Sequence, residues 1–363
     1  MGAKQPRRVL IFCVSGLGDA VMASPAIAAL ADQPDIFKLT LLTMFGSVAA
    51  YLKEQQFTDD VRVIDFLSGR KPEIFHQLWS LRRERFDVGV VAYPQNRIEY
   101  NGVNFVVGAR ERIGFRYQKQ RYRNLPGLNH KVFDEDPRLH VVEENLRWAA
   151  YLRGDKIESL PDGMVFRHGP ESTRVAEDFI RQNTLVDASP IIGIHPSCNA
   201  LKNQQNRCWP PTQFVEFIER IGRQLPSARF ILFEGPQDAQ LARMIHKNTA
   251  QAIAVARMLP VGVVGVLIRQ CDLFVSNCSG LIHIAAACKV PTVGIYGPTN
   301  PTWDRPWKTD AIVVTNGLPC SPCFHYSSRP LDCPAKLDYA CVRELPVEDV
   351  EKAALQLLKP AHV

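Results

Sequence analysis

The chain has 363 residues, of which 46% are apolar and 22% charged; this excludes a disordered or fibrous protein, and at about 150 residues per domain the length points to two cores. No stretch approaches the roughly 18 uninterrupted apolar residues of a membrane span. The N-terminal apolar run is broken by Ser15, Gly16, Gly18 and Asp19, unlike a signal peptide, so a cytoplasmic location is expected. The net charge of +6 implies only a mild preference for anionic partners, and no nucleic-acid partner is expected.

In chain order, residues 8–14 predict a buried strand, 15–18 a tight turn and 19–30 a helix. Strands are expected at 39–43, 61–65 and 88–92, with a helix at 73–85 and another at 143–152. Between Arg97 and Lys131 the residues Arg97, Arg110, Arg112, Arg116, Lys119, Arg121, Arg123 and Lys131 face only Glu99 and Glu111. That run reads either as a surface for a phosphorylated or membrane-borne acceptor or as an ordinary solvated loop. The breakers Gly154, Pro161, Gly163, Gly169 and Pro170 close a first domain of residues 1–170.

A helix at 171–182 leads into a second apolar strand, 191–194, and the alternation resumes. Helices are expected at 214–224, 237–247, 261–269 and 281–288, and strands at 229–233, 273–276 and 292–296. Strands alternating with helices imply parallel sheets, so the class is α/β with two Rossmann-like domains in tandem. The second domain takes residues 171–345, including a Cys-rich segment at 319–341. In the remainder, 346–363, an amphipathic helix at 348–358 is expected to pack back on the first domain.

The turns after the strands carry the candidate chemistry. Ser15-Gly16-Leu17-Gly18-Asp19 lacks the third glycine of a dinucleotide fingerprint, because that position is Val21. The helix start presents free N–H groups to an anion, and an acid there is also a favourable cap, so on spacing alone Asp19 reads either as a capping residue or as part of a functional turn. In the second domain, Gly193-Ile194-His195-Pro196-Ser197 is followed by Lys202 and Arg207 just before Trp209-Pro210. Small hydroxyls, backbone N–H groups and cations at a strand end suit a pyrophosphate, with a solvated loop of incidental charges as the alternative. Gln237 or Asp238, in the turn after Gly235-Pro236, could meet a ribose, and Ser279 and Gly280 present N–H groups at a helix start after Cys278. His283, one turn further on among Ile284, Ala285 and Ala286, is either a core residue or part of that site.

Taken together, Gly18-Asp19-Ala20 with Pro25-Ala26, His195-Pro196, Trp209-Pro210, Gly235-Pro236 and Ser279-Gly280 with His283 resemble glycosyltransferase family 9, the lipopolysaccharide heptosyltransferases, from Val9 through the last helix. The resemblance implies a GT-B fold, with the two parallel sheets facing a central cleft. It implies metal-independent inverting transfer of heptose from ADP-heptose to a phosphorylated glycolipid, the lipid A and core region, with peripheral contact at the inner membrane. It assigns the catalytic base to Asp19 and the donor diphosphate to Arg207 with Ser197, Ser279 and Gly280 as neighbours, and the ribose to Gln237 or Asp238; Lys202, as a second cation, and Cys278 and His283, in the last motif, are further donor-site candidates. One position departs from the pattern: where the family commonly has Asp before Ser-Gly, this chain has Cys278, which carries no fixed charge. That leaves open another nucleotide sugar, a protein acceptor, or an inactive sugar-nucleotide-binding protein; a nicotinamide oxidoreductase fits the first turn poorly.

Of the ten cysteines, Cys320, Cys323, Cys333 and Cys341 form a C-x2-C-x9-C-x7-C pattern in a proline-rich segment. Its spacing suits a structural zinc or iron site, with disulfide or redox chemistry and four unconnected cysteines as the alternatives. No cofactor is expected for catalysis.

Overall fold

The central strands are apolar on both faces, as parallel strands covered by helices must be. The computed structural model describes residues 5–119, 124–198, 201–327 and 329–358, which divide into two compact units. The first unit comprises Met1–Arg167 with Tyr326–Ser328, and the second His168–His325 with Arg329–Val363.

In the first unit β1 (Arg7–Phe12), α1 (Leu17–Ala31), β2 (Phe37–Thr43), α2 (Gly46–Glu54), β3 (Val61–Val63) and α3 (Lys71–Arg83) come first. They are followed by β4 (Val88–Val91), α4 (Ile98–Val107), β5 (Glu111–Arg116), β6 (Lys131–Asp134) and α5 (Val141–Arg153). The sheet order is β3-β2-β1-β4-β5-β6, and every paired strand is parallel. Helix α1 is buried nearly all round and packs on α5, which is why its sequence shows little amphipathic patterning.

The second unit opens with α6 (Pro170–Gln182), β7 (Ile191–His195), a 3₁₀ stretch at Leu201–Arg207, α7 (Pro211–Gln224) and β8 (Arg229–Glu234). Next come α8 (Ala239–Lys247), β9 (Ile253–Arg257), α9 (Val261–Arg269), β10 (Leu273–Asn277), α10 (Gly280–Ala287) and β11 (Thr292–Ile295). It closes with α11 (Pro301–Asp304), β12 (Ala311–Val314), α12 (Ala340–Arg343) and α13 (Val347–Leu358). Its parallel sheet runs β12-β11-β10-β7-β8-β9. Val347, Val350, Ala353, Ala354 and Leu358 of α13 join Trp209, Phe214 and Phe217 in the core of this unit, against α7 and the strands β10 to β12.

In both sheets the strand order reverses beside the first strand, between β1 and β4 and between β7 and β10. The connections on either side of such a switch point lead to opposite faces, leaving an opening at the carboxyl ends of the two strands. The turns after β1, β7 and β10 lie at these two openings, and the Gly235-Pro236 turn follows β8, the strand beside β7. Among the described residues no helix is long and apolar enough to cross a membrane.

Candidate functional site

At the first switch point the chain leaves β1 through Ser15 and Gly16 and leaves β4 through Pro94 and Gln95. Ser15 Oγ donates to the Pro94 carbonyl at 3.1 Å, and the Gln95 N–H donates to the Tyr117 hydroxyl at 2.6 Å. Asp19 Oδ2 accepts the Gly16 N–H at 3.0 Å, closing the helix start as a capping carboxylate does. Asp19 is half-buried, and its charge reaches Tyr117 and Tyr100. Burial first, with negative neighbours including Asp19, pushes the Tyr117 phenol well above its usual range.

The basic run between Arg97 and Lys131 is only partly a loop: it contains α4, β5 and the start of β6, with Lys119 in the connection between β5 and β6. Its cations have local partners. Arg97 pairs with Glu99 at 3.1 Å, Arg110 with Asp87 at 3.4 Å and Arg116 with Asp134 at 3.0 Å. Arg112 donates to the carbonyls of Leu128 and Ala109 and lies over the Phe105 ring, and Lys131 lies over Phe133 and Tyr151. Arg121 and Arg123 fall outside the described residues. These contacts give the charges a structural use that their sequence pattern did not show.

The second switch point brings together most of the residues expected to hold a donor. Ser276 of β10 pairs in register with His195 of β7, so the turns after the two strands start side by side. His195 Nδ1 lies 2.8 Å from Ser279 Oγ, and His195 Nε2 lies 3.3 Å from Ser197 Oγ. Burial disfavours the imidazolium and pulls the His195 pKa down to about 4, so the ring is neutral at pH 7. Ser279 occupies the N-cap of α10, yet its hydroxyl meets His195 and Ser276 (3.0 Å) instead of capping the helix. The first-turn N–H groups, beginning at Gly280, therefore carry no side-chain cap and suit an anion.

Asn277 is fully buried and joins three segments. Its Nδ2 donates to the Pro196 carbonyl at 2.6 Å, and its Oδ1 accepts the Trp209 N–H at 2.9 Å. This fixes the far end of the Leu201–Arg207 stretch, in which Lys202 and Asn203 have left-handed backbones (φ 57° and 59°). Such non-glycine conformations cost of order 1 kcal/mol each and persist where their surroundings hold them. The Lys202 carbonyl accepts the Leu331 N–H at 2.8 Å. Arg207 closes the stretch beside Cys198, Cys278 and Asp304, all of which act on its charge.

Cys278 is buried, and its Sγ donates to Asp304 Oδ2 at 3.2 Å. Desolvation, reinforced by the Asp304 carboxylate, pushes the thiol well above its ordinary range, so it stays protonated. On the neighbouring turn Asp238 Oδ2 accepts the Gly235 N–H at 2.9 Å, the same local closure that Asp19 makes with Gly16. Asp238 is buried whereas Gln237 is exposed at the turn. His283 is buried within α10. His195, Asn277 and Asp304 were not among the residues read as donor ligands; only His195 had a sequence signal, its place before Pro196 at a strand end.

The four clustered cysteines line one cavity of about 30 Å³ together with Pro298, Leu318 and Leu337. Every described cysteine is a free thiol. Among the described residues no group of three or more His, Cys, Asp or Glu side chains is placed to hold a metal ion. The zinc or iron site expected from the spacing therefore finds no support: the thiols are spread around an apolar wall, from exposed Cys320 to buried Cys341. Burial, aided by the neighbouring thiols, pushes Cys341 up to about 11.

Residues 75–332 match the model of glycosyltransferase family 9 (heptosyltransferase). The chain is 25% identical over 364 residues to lipooligosaccharide heptosyltransferase 2 of Campylobacter jejuni subsp. jejuni serotype O:2, covering 98% of this chain and 100% of that one. Its structure is similar to that of the glycosyl transferase family 9 protein from Veillonella parvula DSM 2008, with a TM-score of 0.77, 18% identity and 99% of each chain covered. For E. coli ADP-heptose lps heptosyltransferase II the TM-score is 0.71 at 20% identity, covering 98% of this chain and 100% of that one. These likenesses agree with the two parallel six-stranded sheets in assigning an α/β fold of the GT-B type. With the family match spanning most of its length and the family's motifs gathered at the two switch points, the chain belongs to glycosyltransferase family 9 and is a heptosyltransferase-like glycosyltransferase.

Proposed function

We propose that the chain transfers heptose from ADP-heptose to a phosphorylated glycolipid acceptor in lipopolysaccharide core biosynthesis, with inversion and without a catalytic metal. The observation that carries this reading is the cluster at the second switch point: neutral His195, Ser197, Ser279 and Arg207 around the uncapped start of α10. A leaving diphosphate needs fixed positive charge and aligned N–H groups. Arg207 and the Gly280 end of α10 supply them, with Ser197 and Ser279 as hydroxyl partners and Lys202 as a second cation. Gln237 and Asp238, on the turn after β8, are assigned to the ribose, and Cys278 and His283 to the wall of the donor pocket. The names of the Campylobacter and E. coli relatives support heptose, and that of the E. coli enzyme supports ADP.

Chemically, one displacement suffices. The acceptor hydroxyl oxygen forms the new bond to the anomeric carbon as the bond to the nucleoside diphosphate breaks, and the hydroxyl proton passes to Asp19. Contact with a lipid-borne acceptor on the cytoplasmic face of the inner membrane is then peripheral.

A panel of nucleotides tests the donor. ADP and ADP-heptose are expected to raise the melting temperature, with binding worth about 2.7 kcal/mol at 100 times Kd; UDP and GDP are not. Stabilisation by UDP or GDP alone rejects the ADP assignment. Donor binding with no transfer to any core glycolipid would favour the alternative of a binding protein without turnover, which Cys278 raises.

A further inference from the structure

Cys278 leaves the turn before Ser279-Gly280 without a charge of its own, yet a carboxylate reaches the same place from another segment. Asp304 ends α11, 26 positions downstream, and its Oδ2 accepts the Cys278 thiol at 3.2 Å. It is only 5% exposed. Its backbone is held by the Tyr296 hydroxyl, which donates to the Asp304 carbonyl at 2.7 Å from a fully buried ring, and the Asn300 side chain caps the short helix. A carboxylate desolvated to this degree is costly unless a cation answers it. The cation here is Arg207, on whose charge Asp304 and Cys278 both act. Among the described residues, Arg207 Nε is buried without a hydrogen-bond partner. A buried guanidinium that feels a buried carboxylate and still has one donor unfilled is arranged to receive a further acceptor.

We propose that Asp304 is the positioning residue for Arg207: its carboxylate, relayed past the neutral Cys278 thiol, holds the guanidinium in place to bind the diphosphate of the donor. The charge expected at position 278 is thus supplied from position 304, and Cys278 donates to it without competing for Arg207. The inference rests on the donor-site reading above, but only on its diphosphate and not on the choice of base or sugar.

The test compares wild type with Asp304→Asn, Asp304→Glu and the double variant Cys278→Asp/Asp304→Asn. Calorimetry with ADP, UDP and GDP measures diphosphate binding, and transfer kinetics separate KM for the donor from kcat. Asp304→Asn is expected to weaken nucleotide binding and raise donor KM at least tenfold with kcat within about threefold, since its effect is on ground-state positioning. The double variant, which returns a carboxylate to position 278, is expected to recover most of the loss, and Asp304→Glu part of it. If Asp304→Asn fails to fold while the double variant folds and binds, the relocated charge is still supported. Unchanged binding in Asp304→Asn, or a folded double variant that recovers nothing, overturns the inference. Binding of UDP or GDP in place of ADP overturns the donor reading and leaves this comparison intact; wild type that binds no nucleoside diphosphate overturns both.

Discussion

The His195 ring and the Ser279 hydroxyl, 2.8 Å apart, bind together the turns that follow two adjacent parallel strands. The contact needs a neutral imidazole with an acceptor or donor nitrogen on each side. Because the folded-state pKa is depressed to about 4 from an ordinary 6.5, the unfolded chain takes up the proton first. Stability from this group is complete above pH 6.5 and is lost as pH falls toward 4. Between pH 7 and pH 5 the loss is about 2 kcal/mol. Urea denaturation at the two pH values is expected to show it in wild type and to show a shallower change in His195→Gln. Identical pH dependence in the two proteins would exclude His195 as the source.

Asp19 has two separable uses. As the acceptor of the Gly16 N–H it contributes about 1 kcal/mol to stability, and as a base about 10²- to 10⁴-fold to rate. Asp19→Asn keeps an oxygen for the cap but cannot take a proton. It is expected to lose at least a hundredfold in kcat with a stability change under about 1 kcal/mol. Turnover within a few-fold of wild type would leave Asp19 as a cap only.

Asn277 holds the Pro196 carbonyl and the Trp209 N–H in a fully buried position. Asn277→Ala strands both partners, at about 1–3 kcal/mol for each group left unsatisfied. The expected result is a loss of about 2–6 kcal/mol in denaturant titration, with weaker nucleotide binding because the Leu201–Arg207 stretch loses its anchor. Loss of stability without any change in binding by the folded fraction would separate the anchor from the site.

For the four clustered cysteines the geometry predicts free thiols that hold no metal. Elemental analysis is expected to find zinc and iron well below one per chain, and a chelator is expected to leave the melting temperature unchanged. One tightly held metal per chain, removed together with several degrees of stability, would restore the four-thiolate reading.

Long apolar runs made the central strands β1, β4, β7 and β10 legible, because strands buried on both faces read as continuous Val, Ile and Leu. The edge strands were harder to see. β6 and β12 are short and partly exposed, and β9 alternates, so none stands out from its flanks. Charge concealed β5 and α4: read along the sequence, Arg110, Arg112 and Arg116 suggest a solvated loop, whereas Asp87, backbone carbonyls and Asp134 receive them in the fold. Site residues on strand-end turns could be read from spacing. Asp304 could not, because nothing in the sequence links a carboxylate on one short helix to a thiol on another turn.

Tyr326 belongs to the first unit although the residues on either side of its short segment belong to the second. Its ring packs edge-on against Tyr93, with ring centres 5.7 Å apart, and its carbonyl accepts Asn96 Nδ2 at 2.8 Å. One peptide break between Arg167 and His168 therefore does not yield two self-sufficient halves. A protease that cuts there leaves the upstream fragment without a piece of its own packing, so recombining the two fragments should work better than expressing either one alone.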